Sequence, residues 1–412
     1  MSKQNFIQTL KSEVARIDET KTMKRFEKII EGFTDEPSPK AIINGKKYSI
    51  FNSNDYLGLR HNKALKFAEH EASQIFGTGP GAVRFISGTL SIHRELEKAV
   101  AKFHGRDDAM VFSSAFATNL AVMFTLSQGL TKDSLIDSDV LILSDALNHR
   151  SIIDGVRLTG LPKDNRMIFA HKDMNDFERV LSENVGKFKR VVVVTDGVFS
   201  MLGEYQDIKT INLIINKYDK NYEQGIMLVI DEAHGVGACG ETGRGTEELQ
   251  NTKADILVGT FGKAFGADGG YVVGDQSLID YMRESSATYI YSNSISPGTA
   301  AAAKRAVELI DEEEGKKLLE QSRQNTAYFK KLMSEAGLVF AADSTHPIQP
   351  VLIGDSAKTK EIVNKLFEKG FLVTNISYPV VPKGRDEIRV QISATHSKEE
   401  IELLVKELSR LI

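Results

Sequence analysis

The 412-residue sequence predicts an α/β protein: a mostly parallel central sheet with helices on both faces, followed by a smaller α+β domain. Three observations carry this. Short β-branched runs recur between about residues 60 and 300. Several of them are apolar throughout, as strands buried on both faces require. Turn residues and helical stripes separate them.

Taken in order, the first fifty residues are polar and helix-prone, with Phe6, Ile7, Leu10, Val14 and Ile17 on one helical face, which reads as an arm that packs on something else. DEPSPK (35–40) breaks this pattern, and INGKKY (43–48) reads as a hairpin around an Asn-Gly turn. The strand runs follow: AMVFS (109–113), VLILS (140–144), MIFA (167–170), VVVVT (191–195), IMLVI (226–230), DILVG (255–259) and GYVVG (270–274). Between two of them, Asp173 precedes Met174, Phe177, Val180 and Leu181, an N-cap before a helical stripe. Beyond residue 300, TAAAAKRAVELI and 315–337 predict long helices, then PIQPVLI, FLVTN and EIRVQIS predict strands separated by helices at 356–369 and 397–411. The expected domains are an arm and hairpin at 1–58, a large domain at 59–298 and a small one at 299–412.

Composition narrows the function. Charged residues make up 26% and the net charge is −4, so neither a nucleic-acid partner nor a membrane surface is expected, and the substrate is expected to be small. The single cysteine, Cys239, excludes an intramolecular disulfide and a multi-cysteine zinc site; no metal is expected. The charged N-terminus lacks an apolar signal segment, and the apolar runs fall far short of the ~20 residues of a membrane helix. A cytoplasmic protein is expected.

In an open α/β sheet the ligand sits beyond the carboxyl ends of the strands. There the chain places His149 (DALNHRS), Ser200 (DGVFSM), Asp231 and His234 (DEAHGVG), and Thr260 and Lys263 (TFGKAFG). Each alone has an ordinary reading: a solvated lysine, a structural histidine, a turn-capping aspartate or hydroxyl. Together, at four strand ends, they describe a site. Apolar neighbours favour the neutral Lys263 amine that forms a Schiff base, and Asp231 can pair with a protonated ring nitrogen. Those are the requirements of pyridoxal phosphate (PLP). SSAFATN (113–119) offers helix-start amides for its phosphate, and Thr260 a hydroxyl. Other features stay outside the site. GTGPGAV (77–83) has no preceding β-run and no following Lys-Ser/Thr, His93 reads as a fold or pocket residue, Cys239 as a plain buried thiol, and DEEEGKK (311–317) as a solvated face.

The strings NSNDYLGL, GAVRFISGTLSIHRELE, SDALNHRSIIDGVRL, TDGVFSM, DEAHGVGACGETGRG, GTFGKAFG, YSNSISP, YPVVPKG and IRVQISATHS resemble the α-oxoamine synthases. These are fold-type I PLP enzymes that condense an amino acid with an acyl-CoA. The resemblance spans about residues 50–400. SDALNHRSIIDGVRL, TDGVFSM, YSNS and YPVVPKG look most like glycine C-acetyltransferase, and GTLSIHRELE looks equally like serine palmitoyltransferase. The resemblance implies that Lys263 holds PLP and later acts as general base, Asp231 pairs with the pyridine nitrogen, and His149 stacks on the ring. It places His234 near the phenolic oxygen, as donor to the developing oxyanion, with Ser200 close by. It seats the phosphate on Ala115, Phe116 and Thr260, with Ser292 reaching in from the second subunit of a homodimer, and it gives Arg389 the substrate carboxylate and Asn54 a place beside the substrate. The expected reaction is glycine plus acetyl-CoA giving 2-amino-3-oxobutanoate and CoA, a step of threonine catabolism. Alternatives are a family member taking another amino acid and a longer acyl-CoA with decarboxylation, as in serine palmitoyltransferase or 8-amino-7-oxononanoate synthase; a fold-type I aminotransferase, separated by an assay for released CoA; and a non-catalytic subunit, separated by an absorbance spectrum. Three departures stand out: Leu202 where the family commonly has an acid after Ser-Met, a long stretch at 131–140, and Pro80 in the glycine loop.

Overall fold

In the structure, a computed structural model describing residues 2–19, 23–378 and 380–412, all seven apolar runs become strands of one sheet. They are β1 (Asp108–Phe112), β2 (Val140–Asp145), β3 (Arg166–Phe169), β4 (Arg190–Asp196), β5 (Ile226–Asp231), β6 (Ile256–Thr260) and β7 (Gly270–Gly274). Their spatial order is β1-β7-β6-β5-β4-β2-β3. β2 through β6 pair in parallel, and β7 runs antiparallel to both of its neighbours. The register sets Asp196 opposite Asp231 and Asp231 opposite Val258, so β4 and β5 end level, β6 runs on to Thr260, and all three present their next residues to one crevice.

Burial explains the unbroken apolar runs. Every position of β1, β2, β4, β6 and β7 is buried. Consecutive side chains point to opposite faces, so Val192 and Val194 join Met110, Val258 and, from the helix Ala115–Ser127, Val122, while Val191 and Val193 join Leu228 and Phe177 on the other face. Each such valine contributes about 1.5–3 kcal/mol by leaving water. The edge strand β3 is the exception and exposes Ile168. The helix Met174–Glu183 forms where its stripe predicts, with the Asp173 carboxylate accepting from the Asn175 and Asp176 amides.

After the sheet, the alanine-rich helix Pro297–Ile310 packs on Lys63–Phe76 and Ser91–His104; its small side chains let the backbones approach closely. Helices Glu313–Glu335, Ser356–Glu368 and Lys398–Leu411 then enclose an antiparallel sheet of β8 (Ile348–Leu352), β9 (Thr374–Ile376) and β10 (Glu387–Gln391), in the order β8-β10-β9. Alternation in β10 turns Ile388 and Val390 into the core with Phe329 and Leu404, which leaves Glu387, Arg389 and Gln391 on the other face.

The chain divides into two compact units, Met1–Ser49 and Ile50–Ile412. In the first, Ser2–Glu19 is helical, and its apolar stripe, Phe6, Leu10 and Val14, is exposed. Ala41–Ile43 pairs with Lys46–Ile50 across Asn44 and Gly45, whose φ values of 49° and 70° are those of the type I′ turn that Asn-Gly favours. Among the described residues no helix is long and apolar enough to cross a membrane. The stretch 131–140 is tied down by Asp137, whose carboxylate meets Lys189 at 2.7 Å and Arg190 at 3.2 Å. It therefore lies at the amino end of β4, opposite the crevice. Of YPVVPKG (378–384), Pro379 lies outside the described residues.

Candidate active site

The loop after β6 shows why a lysine is held here. Phe261, Ala264 and Phe265 are buried in the core, and the loop closes on itself through Phe261 N to Gly269 O (3.0 Å) and Ala267 N to Phe261 O (3.0 Å). Gly266, at φ 66°, turns the chain where a Cβ would meet the Arg60 backbone at 2.2 Å. With its neighbours anchored inward, Lys263 projects into a cleft lined also by Ala115, Phe116, His149, Asp231 and His234. Burial brings its amine down to about 8, against the pull of the Asp231 carboxylate.

Asp231 ends β5, buried, with Oδ2 accepting from Asn119 Nδ2 at 2.6 Å and Oδ1 from the Ala233 amide at 2.8 Å. Asn119 also donates to Ser151 Oγ at 2.9 Å, and that hydroxyl lies 2.7 Å from His149 Nδ1. One chain of hydrogen bonds thus orients the acid and the cleft histidine together. Beside it, burial and the Asp231 charge push the Asp196 carboxyl far above its ordinary range.

His234 Nδ1 lies 2.7 Å from the Tyr56 hydroxyl, and its carbonyl accepts from His346 Nε2 at 2.8 Å. Burial, then the Lys263 and His346 charges, hold His234 well below its usual range, so it is a neutral imidazole that can donate or accept. Arg389, on the outward face of β10, donates from Nη1 to the Ser200 carbonyl at 2.8 Å, and its buried Nε has no partner among the described residues. Asn54 Oδ1 accepts from Gln391 Nε2, on the same face of that strand.

Six of the predicted residues, Lys263, Asp231, His149, His234, Ala115 and Phe116, line one cleft. Ser200 meets Arg389 through its carbonyl rather than its hydroxyl. The Thr260 hydroxyl donates to the Gly269 carbonyl at 2.9 Å, so its proton is already engaged. Ser292 lies beside the exposed Tyr291 and outside the cleft lining. His93 is a fold residue: its Nδ1 accepts from Leu90 N and its Nε2 donates to Ile295 O at 3.0 Å. Cys239 is a buried thiol, pushed up by burial and by Glu232. The glycine loop follows the helix Lys63–Phe76, not a strand. Sequence reasoning missed Asp196, Asn119, Ser151, Tyr56 and His346. Asp196 was within reach as a strand-end acid; the others are joined to the site only by folding.

Three observations test whether these residues fit PLP. A buried carboxylate, fixed by Asn119, faces the cleft for a ring nitrogen. The Ser114 side chain caps the Ala117 amide, while the Ala115 and Phe116 amides make no bond among the described residues and remain for a phosphate. Gly270 backs that helix start so closely that a Cβ would meet Ala115 N at 2.2 Å. With Lys263 near neutrality as the amine, the residues fit.

Comparison with known proteins agrees. Residues 46–408 match the family Aminotransferase class I and II. The chain is 40% identical to the 8-amino-7-oxononanoate synthase of Petrotoga mobilis over 90% of this chain and 89% of that protein. It is 37% identical to 8-amino-7-oxononanoate synthase 1 of Bacillus subtilis over 88% of each. Among solved structures, SPT with PLP internal aldimine superposes with a TM-score of 0.87 at 26% identity, covering 99% of this chain and 97% of that one. The serine palmitoyltransferase of Sphingomonas wittichii gives 0.86 at 25%, with the same coverage. These relatives overturn the expectation of glycine C-acetyltransferase and, with it, of glycine and threonine catabolism: the curated matches carry the name 8-amino-7-oxononanoate synthase. Of the motifs that suggested the acetyltransferase, SDALNHRSIIDGVRL and TDGVFSM supply His149, Ser151, Asp196 and Val198 to this cleft, and residues that serve the cofactor carry little information about acyl-chain length. Fold, cleft and relatives together make this chain a member of the fold-type I, PLP-dependent α-oxoamine synthases, enzymes that transfer an acyl group to an amino acid.

Proposed function

We propose that the chain condenses a small amino acid with an acyl-CoA longer than acetyl-CoA, with loss of the amino acid's carboxylate, in the manner of an 8-amino-7-oxononanoate synthase. The product named for the relatives is a nine-carbon acid with its amine on the carbon next to the ketone. Cut between those two carbons, it divides into a seven-carbon acyl group bearing a terminal carboxylate and a two-carbon amine, which is alanine without its carboxylate. That pair is the first to test. The observation that carries the reading is Arg389, a guanidinium with a buried, unpartnered Nε. It suits a bidentate carboxylate, and therefore an amino acid substrate.

Lys263, Asp231, His149 and the Ala115 and Phe116 amides would hold PLP. When bound, PLP supplies an electron sink for negative charge on the substrate's α-carbon. Lys263, at about 8, is poised to take the α-proton as general base near neutral pH. His234, neutral and held by Tyr56, donates to the oxyanion that develops on the thioester carbonyl. Arg389 orients the carboxylate until it leaves. The site is completed by a second copy: exposed Phe85, Ile86 and Tyr291, the last adjoining Ser292, support a homodimer.

The experiment is a matrix of amino acids against acyl-CoA lengths, read by released thiol and released CO2. Alanine with a seven-carbon dicarboxylic acyl-CoA is expected to be best, with one CO2 per CoA. Release of CoA without CO2, or best turnover with acetyl-CoA, refutes this reading. Serine with a long fatty acyl-CoA is the second reading, favoured by the 99% coverage of the SPT superposition.

A further inference from the structure

Residues 197–206 leave the carboxyl end of β4 and fold back on themselves. Phe199 N donates to Glu204 O at 2.9 Å, Gly203 N to Phe199 O at 2.9 Å and Gln206 N to Gly197 O at 3.0 Å. This hairpin carries Ser200, whose carbonyl accepts from Arg389, and Gly203, whose carbonyl accepts from Ser344 Oγ at 2.6 Å. Opposite these contacts, His171, just beyond β3, grips the hairpin. Its Nε2 lies 3.3 Å from Glu204 Oε2, its Nδ1 lies 2.9 Å from Asp145 Oδ1, and its ring meets Phe199 edge-on at 4.4 Å.

Both ring nitrogens face carboxylate oxygens, so both must donate and the ring is an imidazolium. Burial opposes that charge, but the bonds to Asp145 and Glu204 outweigh it and raise the group to about 9. Two further charges lie close by: Lys172, 3.6 Å from Glu204, and Asp176, whose carboxylate accepts from the Ala170 amide at 2.8 Å. Asp145 cannot swing away, because it also accepts from the Leu147 and Lys172 amides and from Gln206 Nε2. Glu204 thus supplies an acid near the place where Leu202 lacks one.

We propose that His171 is a positioning residue for the substrate carboxylate: clamped between Asp145 and Glu204, it sets the 197–206 hairpin and, through the Ser200 carbonyl, the direction of the Arg389 guanidinium. The Nη1 bond to Ser200 fixes the rotation of the fork and leaves the edge containing the unpartnered Nε for a carboxylate. The proposal rests on the reading of Arg389 as the carboxylate site.

The test titrates the PLP-loaded protein with alanine and with ethylamine, which lacks the carboxylate, following the absorbance of the bound cofactor. His171→Gln should raise the Kd and KM for alanine about tenfold, leave ethylamine unchanged, and leave kcat at saturating alanine within about twofold. In an Arg389→Lys background the same substitution should change the alanine Kd by less than about twofold. Glu204→Gln carries the same expectation should His171→Gln fold poorly. Wild-type protein that binds alanine no better than ethylamine overturns the Arg389 reading and the proposal with it. A wild type that prefers alanine, with His171→Gln and Glu204→Gln keeping that preference in full or losing affinity for both ligands equally, overturns the proposal alone.

Discussion

A methyl group at position 270 should damage both the fold and the cofactor site, whereas one at position 274 of the same strand should not. A Cβ at Gly270 would lie 2.2 Å from Ala115 N, 2.4 Å from Ser114 C and 2.5 Å from Ala115 Cα. Contacts between such atoms are comfortable near ~3.5 Å, so the overlap exceeds ~1 Å. All three atoms are backbone and cannot rotate aside, so the helix start itself must move. Overpacking of this kind costs about 1–3 kcal/mol, which for a chain of 412 residues lowers Tm by about 1–4 °C. The cofactor loses more: displacing one charge-assisted amide bond to a phosphate costs about 1.5–3 kcal/mol, or roughly 10–150-fold in affinity. At Gly274 a Cβ meets Leu278 Cδ2 at 2.6 Å, the flexible end of a side chain that can turn away. Gly270→Ala and Gly274→Ala, compared by thermal melts of the cofactor-free protein and by PLP titration, should therefore separate by about tenfold or more in PLP affinity. Equal PLP affinity for Gly270→Ala and wild type would refute the assignment of the phosphate to the Ala115 helix start.

Other predictions follow from the charges. Lys263→Ala should abolish the visible cofactor band and CoA release, and in wild type the rate of PLP capture should rise with pH about a midpoint near 8, since only the neutral amine reacts; a midpoint near an ordinary lysine's ~10.4 counts against the desolvated amine. Asp196→Asn replaces a carboxyl whose charged form burial and the Asp231 charge disfavour, and should change stability by less than about 1 kcal/mol in urea melts, while Asp231→Asn should lose turnover at least about a hundredfold. His171 is raised from 6.5 to about 9 on folding, so its contribution is full below ~6.5 and disappears as pH climbs through about 9. That loss is up to about 3 kcal/mol, and a melt series should show it flattened in His171→Gln.

Much of this was readable in the chain. Apolar runs such as VVVVT stand out because a strand buried on both faces has no polar side to show, and all seven were placed. The Asn44–Gly45 turn and the Asp173 cap were readable because their geometry is local. Lys263, Asp231 and His149 were readable because strand ends in a parallel sheet converge. Asn119 is 112 residues from the aspartate it holds and Tyr56 is 178 from the histidine it meets, and no local pattern marks such partners. The acyl preference was misread in part from motifs such as SDALNHRSIIDGVRL and TDGVFSM, whose cleft residues constrain the cofactor and leave the acyl chain open.

The sequence by itself determined the cofactor chemistry, since a lysine among apolar neighbours and an acid at a buried strand end can be recognised one segment at a time. Only the tertiary structure decided that burial beside Asp231 raises the Asp196 carboxyl, that the Thr260 proton is already engaged, and that His171 reaches Arg389 through a hairpin. The physical reason is that desolvation and hydrogen bonding act through space: a residue's charge and direction depend on neighbours that the chain brings together only by folding.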